Sequence, residues 1–213
     1  MSQLGLGLPH RPALGREDFL ASEANRVALE WVERWPDWPQ RRLALHGPAD
    51  SGKTHLAAVW AARSGATSLA GPDLDPAGIR GAIVLEDAAR APEESLVHAM
   101  NLMAENGHGL LLVDREPPAR WPVKRPDLAT RLTTVVAVAL GAPDDALFRA
   151  LIGKLFADRQ LRVGDEVVGW LAARLERSHA AARAAVERLD RAALAEGRAV
   201  TVPLARTTLD LAA

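Results

Sequence analysis

Apolar residues recur at helical spacing through residues 17–35, EDFLASEANRVALEWVERW, at Leu20, Ala24, Val27, Ala28 and Trp31. This period predicts an amphipathic helix. The PDWPQ that follows breaks it, because proline cannot supply the amide a helix interior needs. Beyond it the pattern alternates. RLALH (42–46) predicts a short strand, and a helix is expected from Lys53 to about Arg63. AIVLED (82–87) and GLLLVD (109–114) are nearly unbroken apolar runs that end on acids, with a helical EESLVHAMNLMAEN (93–106) between them. RPDLATRL (125–132) reads as a short helix and TTVVAVAL (133–140) as a β-branched strand. Strands this apolar, alternating with helices, mean an α/β fold whose parallel sheet is covered on both faces.

At GAPDDA (141–146) the texture changes. Helical pattern runs through 144–159, 164–176 and 179–196, GRAVTVP allows a short extended piece, and Pro203 opens a last helix. The expected organisation is an N-terminal arm at 1–15, an α/β nucleotide-binding domain at 16–141, and a small helical lid domain at 142–213. Composition adds little to this. Net charge is −1 and there is no cysteine. Broad adhesion to nucleic acid is therefore not expected, and disulfides and thiolate metal sites are excluded. MSQLGLGLPHRP has no basic start followed by a long apolar run, and GLLLV and VVAVAL are too short to span a bilayer. A cytoplasmic protein is expected. The six tryptophans are scattered in sequence, with Trp31, Trp60 and Trp170 expected in the core and Trp35, Trp38 and Trp121 exposed beside prolines.

The chemistry begins between the first strand and the second helix. Gly47-Pro48-Ala49-Asp50-Ser51-Gly52-Lys53-Thr54 fits G-x-x-x-x-G-K-[ST] without a mismatch. Glycines let successive backbone amides turn inward around a phosphate, and the next helix aims its positive N-terminus at the same point. Lys53 is placed to reach the β- and γ-phosphates, and Thr54 to hold Mg²⁺. A metal also needs an acid on a neighbouring strand tip. Glu86 and Asp87 supply two, one for Mg²⁺ and one to orient the attacking water; we assign the metal to Glu86 and the water to Asp87. Asp114, at the next tip, is placed to sense the terminal phosphate. Arg131 stands where a short helix meets the last strand. A planar, permanently charged guanidinium there can reach into a neighbouring subunit's nucleotide.

In this order the pieces resemble the AAA+ ATPases and, within them, the DnaA/Hda group of bacterial replication proteins, closest to the Hda branch. The resemblance runs from Phe19 to the C-terminal helix. FLASEANRVAL is similar to the segment leading into the nucleotide pocket. GPADSGKTHLA is similar to Walker A and extends the nucleotide-binding stretch through His55. IVLED fills the Walker B place, VDREPP resembles the sensor 1 segment, and RPDLATRL resembles the box that ends on the arginine finger. DnaA continues into a DNA-binding domain, whereas this sequence stops at Ala213, so no sequence-specific DNA binding is expected. QLGLGLP in the arm is similar to a sliding-clamp-binding motif, with Gln3 for a polar pocket and Leu4, Leu6 and Leu8 as apolar anchors.

The resemblance implies a five-stranded parallel AAA+ sheet followed by an all-helical lid. It implies ADP or ATP with Mg²⁺ as ligand, and two partners: DnaA and the DNA polymerase III sliding clamp (its β subunit). A homodimer is compatible with it. The implied role is a clamp-tethered regulator that stimulates hydrolysis of DnaA-bound ATP through Arg131, with weak or absent ATPase of its own. Two departures from the pattern bear on this. Glu86-Asp87 stands where DnaA has Asp-Asp, and Ala180 falls on the lid's sensor 2 arginine, flanked one turn away by Arg177 and Arg183. The alternative is a helicase-loader ATPase related to DnaC, which would turn over ATP alone or on single-stranded DNA.

Overall fold

The computed structural model describes residues 14–210. The predicted arm and its clamp motif, Gln3, Leu4, Leu6 and Leu8, therefore lie outside the described residues. Five strands are present: β1 (Arg42–His46), β2 (Thr67–Ala70), β3 (Ile83–Glu86), β4 (Leu110–Asp114) and β5 (Val136–Ala139). They form one sheet in the order β2-β3-β4-β1-β5, every neighbouring pair parallel.

Alternation along the central strands explains how two layers of helix are held. Leu43 and Leu45 of β1, Val84 of β3, and Leu111 and Val113 of β4 face α1 (Arg26–Glu33) and α2 (Lys53–Ser64). Ala44, Ile83, Leu85, Leu110 and Leu112 face α3 (Glu93–Asn106) and α4 (Pro126–Thr133). Most of these side chains are fully buried. Each of the larger ones contributes about 1.5–3 kcal/mol of burial before ordering costs. That is why β1, β3 and β4 read as continuous apolar runs. The edges differ. β2 is largely exposed and β5 partly so. TSLA carries no apolar run, so no strand is expected there from the pattern.

The first helix is shorter than the 17–35 expected. Residues 16–25 form turns instead, organised by the buried Asn25. Its side chain accepts from Ser22 N–H at 2.9 Å and donates to Leu20 O at 2.9 Å, and such local bonds compete with a helix.

The tryptophans also differ from expectation. Trp38 and Trp121 are buried and Trp35 is half-buried. Trp38 stacks on Trp60 at 4.9 Å, and Trp35 meets both edge-on at 5.0 and 5.4 Å. The Trp38 indole N–H donates to Trp31 O at 2.6 Å. Gly109 immediately precedes β4, and a Cβ there would lie 2.5 Å from the Trp35 ring and 2.8 Å from Trp60. Trp170, expected in the core, is only partly buried against its neighbours.

After residues 141–144 a second core begins. α5 (Asp145–Ala157), α6 (Asp165–Ala172), α7 (His179–Glu196) and α8 (Val202–Leu209) pack around Phe148, Ile152, Phe156, Val186 and Leu189. Side chains of Asp144, Ser178 and Thr201 cap α5, α7 and α8 by accepting from amides three residues on. Lys154 of α5 reaches back to the N-terminal segment and bonds Asp18 at 2.8 Å.

Candidate nucleotide-binding site

The C-terminal tips of the strands are brought level by the register: His46 of β1 stands opposite Asp114 of β4, and Glu86 of β3 opposite Val113. The chain leaves β1 through α2 on one face and reaches β4 from α3 on the other, so a crevice opens above these tips. This is where ligands bind in doubly wound sheets. The loop 47–52 fills its floor. Gly47 has φ +148°, and a Cβ there would sit 2.1 Å from Leu140 O, so only glycine fits. Its N–H donates to Arg115 O at 3.0 Å, while Leu140 N–H donates to His46 O at 2.7 Å. Gly52, in the left-handed region at φ +95°, hands the chain to α2.

Lys53 is 9% exposed. Its ammonium donates to Gly47 O at 2.9 Å and Pro48 O at 2.6 Å, arching over the loop it follows. Burial pushes its pKa down, opposed by Glu86; Arg115 pushes it further down, and Asp114 and Asp50 oppose. A lysine held this way, bonded to carbonyls rather than to a carboxylate, is a ready partner for an anion. Thr54 is exposed, and its hydroxyl donates to Glu86 at 3.4 Å. Burial raises the Glu86 carboxyl above its ordinary value, with Asp87 adding to the rise while Thr54 and Lys53 oppose it. Asp87 is exposed and left-handed, at φ +50°. The buried lysine, the facing hydroxyl and carboxylate, and the glycine cradle together fit a phosphate chain with its Mg²⁺.

Asp114 has a structural engagement. One carboxylate oxygen accepts from Ala89 N–H at 2.8 Å and the other from Arg115 N–H at 2.6 Å. It thereby ties the β4 tip to the turn after Glu86 and Asp87. On the far side of the cradle, His55 meets Phe19 edge-on at 5.3 Å, and its Nε2 lies 3.1 Å from Gly15 O. The lid approaches here too. His179, first residue of α7, is held below its ordinary pKa by burial and then by Arg183, with Asp50 opposing and His55 adding to the fall. Arg183 follows His179 one turn further along α7. Arg177, just before α7, is exposed and paired with Asp145 at 2.5 Å, inside the lid.

Arg131 lies at the opposite end of the sheet. It precedes β5, donates to Asn101 of α3 at 2.8 Å and is half-buried. Its charge reaches Arg42, the first residue of β1. Arg42 is 5% exposed, donates to Met100 O at 2.9 Å and to Gln40 at 3.1 Å, and leaves its Nε without a partner. Burial, then Arg131, lowers its pKa. The five residues of β1 put about 13 Å of strand between this end and the cradle. Two residues of interest escape the motif reading. His179 follows the helix-capping Ser178, and Arg115 directly follows Asp114. Neither position belongs to the G-x-x-x-x-G-K-[ST] pattern.

Comparison with known proteins agrees with this fold. The Hda lid-domain family model matches residues 145–209. No curated protein sequence matches the chain. Among solved structures, domain III of the Thermotoga maritima replication initiation protein DnaA superposes with a TM-score of 0.80 at 15% identity, over 95% of this chain and 98% of that one. AMPPCP-bound DnaA from Aquifex aeolicus gives 0.70 at 16% identity, over 83% of this chain and 65% of that one. The Thermotoga maritima RuvB Holliday junction branch migration motor gives 0.72 at 15% identity, over 93% and 72%. At these identities the structural likeness is one of fold. Residues 145–209 thus match the Hda lid domain, and the chain as a whole has the fold of DnaA domain III.

Proposed function

We propose that this chain is a regulator of replication initiation that binds ADP or ATP in its P-loop and acts in trans on DnaA-bound ATP. The observation that carries the reading is the separation of the two cationic ends. Lys53 serves the chain's own cradle, whereas Arg131 stands at the other end of β1 and has no route to that cradle. A guanidinium so placed serves a nucleotide held by another subunit, and Arg131 would leave Asn101 to do so. A trans-supplied arginine of this kind is worth about 10³–10⁵ in rate.

In this reading Gly47 to His55 hold the phosphates, and Thr54 and Glu86 would hold Mg²⁺, which neutralises phosphate charge when bound. Asp87 would orient a water. Asp114, bonded to Ala89 and Arg115, would report on the terminal phosphate through the loops it joins. Of the two lid arginines, Arg183 has the better claim to the nucleotide, since Arg177 is engaged with Asp145. The arm, through Gln3, Leu4, Leu6 and Leu8, would tether the chain to the sliding clamp in the cytoplasm. The Aquifex aeolicus DnaA, solved with AMPPCP bound, supports the ligand class.

The test is hydrolysis of DnaA-bound ATP in the presence of the clamp. The parent chain accelerates it and Arg131→Ala does not, while both bind nucleotide alike. Undiminished stimulation by Arg131→Ala would refute the reading. Steady turnover by the isolated chain, lost in Lys53→Ala, would point instead to a motor of the helicase-loader kind.

A further inference from the structure

Arg42 opens a strand whose next three residues are buried and apolar, and it is as buried as they are intended to be, at 5% exposed. Burying a cation is costly unless both its donors and its charge are answered. The donors are answered in part. One terminal nitrogen donates to Met100 O at 2.9 Å, the other to Gln40 at 3.1 Å, and Nε has no partner. The charge is not answered at all, since no carboxylate among the described residues pairs with it. An unbranched apolar side chain of similar reach would fill the same place without that cost.

What lies beside Arg42 is a second cation. Arg42 donates to the carbonyl of Met100 and Arg131 to the side chain of Asn101, so the two guanidiniums are moored to consecutive residues of α3. Arg131 adds to burial in lowering the Arg42 pKa. Repulsion between them acts where water is partly excluded and screening is weak. The two differ in freedom. Arg42 is enclosed and held through both terminal nitrogens. Arg131 is half-buried in the last turn of α4, and among the described residues one side-chain hydrogen bond restrains it. Repulsion between a fixed cation and a movable one displaces the movable one.

We propose that Arg42 is a positioning residue for Arg131: its buried charge weakens the bond from Arg131 to Asn101 and drives the Arg131 guanidinium outward, toward a nucleotide held by another subunit. The proposal rests on the reading of Arg131 as an arginine supplied in trans, and adds what governs it. Asn101 is the resting latch, and Arg42 is the charge that opposes it. A neutral side chain at position 42 leaves the latch closed for more of the time. Removal of the latch leaves Arg131 free. An Arg42 that only ties β1 to α3 has neither consequence.

The experiment is the rate of hydrolysis of DnaA-bound ATP, with the clamp present, over a range of concentrations of the full chain. The parent, Arg42→Met, Arg42→Lys, Asn101→Ala and Arg131→Ala are compared. Arg42→Met lowers the maximal stimulated rate about threefold or more, the size expected of coupled neighbours, because the competent fraction falls. The half-saturating concentration stays within about twofold. Arg42→Lys keeps the charge and most of the parent rate, and Asn101→Ala raises the rate about twofold. A parental rate in Arg42→Met overturns the proposal, and so does an equal loss in Arg42→Met and Arg42→Lys, which would mark a structural tie. Should Arg42→Met fail to fold, Asn101→Ala still decides, since a rate no higher than the parent's would show that Asn101 does not restrain Arg131. An inert Arg131→Ala beside an unaltered Arg42→Met removes only the role of Arg42. Undiminished stimulation by Arg131→Ala removes the trans reading, and the proposal with it.

Discussion

The two ends of the sheet are built on opposite electrostatic plans. At the C-terminal tips, cations and carboxylates interleave: Lys53 and Arg115 among Glu86, Asp114 and Asp50, with Glu86 and Lys53 each shifting the other. At the N-terminal ends, Arg42 and Arg131 share no carboxylate among the described residues and bond only to Asn101, Gln40 and a helix carbonyl. Like charges side by side in a partly buried place are costly unless something else gains from them. The contrast teaches that one end sets cations against carboxylates within the chain. The other end offers charge that the chain itself does not neutralise.

The largest expected effect breaks the comparison at its lower end. Arg131→Ala lowers stimulation of DnaA-bound ATP hydrolysis by about 10³-fold or more, read as labelled phosphate released per minute. Nucleotide affinity of the variant stays within about twofold of the parent, because the cradle is at the other end of β1.

Lys53→Ala acts at the upper end. Loss of a buried ammonium that meets two phosphates should weaken ADP and ATP binding by about 100-fold, measured by calorimetry. A Lys53→Ala chain that binds as tightly as its parent would show the cradle to be a structural turn.

A double-mutant cycle sharpens the lower end. Arg42→Met and Arg131→Ala, singly and together, are compared by urea unfolding. Repulsion between the guanidiniums predicts a coupling of about 0.5–1 kcal/mol, with Arg42→Met less destabilising when Arg131 is present. Zero coupling would mean that solvent already screens the pair.

The smallest effect is a pH dependence at the upper end. His179 and His46 are both held below their ordinary value of 6.5, chiefly by burial. As pH falls through about 6.5 the unfolded chain takes up protons that the folded chain refuses, so stability falls with acidity. The decline levels off below the folded pKa values, where both states are protonated. Between about pH 7.5 and 5.5 the melting temperature should drop by a few degrees. The drop should be smaller in His179→Gln, which cannot titrate. The charged groups acting on His179 are Arg183 of its own helix and Asp50 and His55 from outside it, and equal slopes in parent and variant would place the pH response elsewhere.

By itself, the order of residues determined much. The buried strands β1, β3 and β4 are visible because each must be apolar on both faces. The cradle is visible because its geometry demands glycine and lysine at set positions. The helical lid shows in its 3.6-residue period, and its match to the Hda lid domain covers that same stretch.

Other features depend on tertiary structure. β2 is a strand because its backbone pairs with β3, though its exposed side chains show no pattern. Residues 16–25 resemble a helix in period but yield to the bonds of Asn25. Arg177 and Arg183 flank the expected lid position symmetrically in sequence, and only the folded lid pairs Arg177 with Asp145. Arg115 gains its place from the register that sets β4 beside β1. Periodicity and steric demand are local, so a chain carries them in its own order. Which charges meet at a strand tip is decided by pairing between segments far apart in that order, and nothing local encodes it.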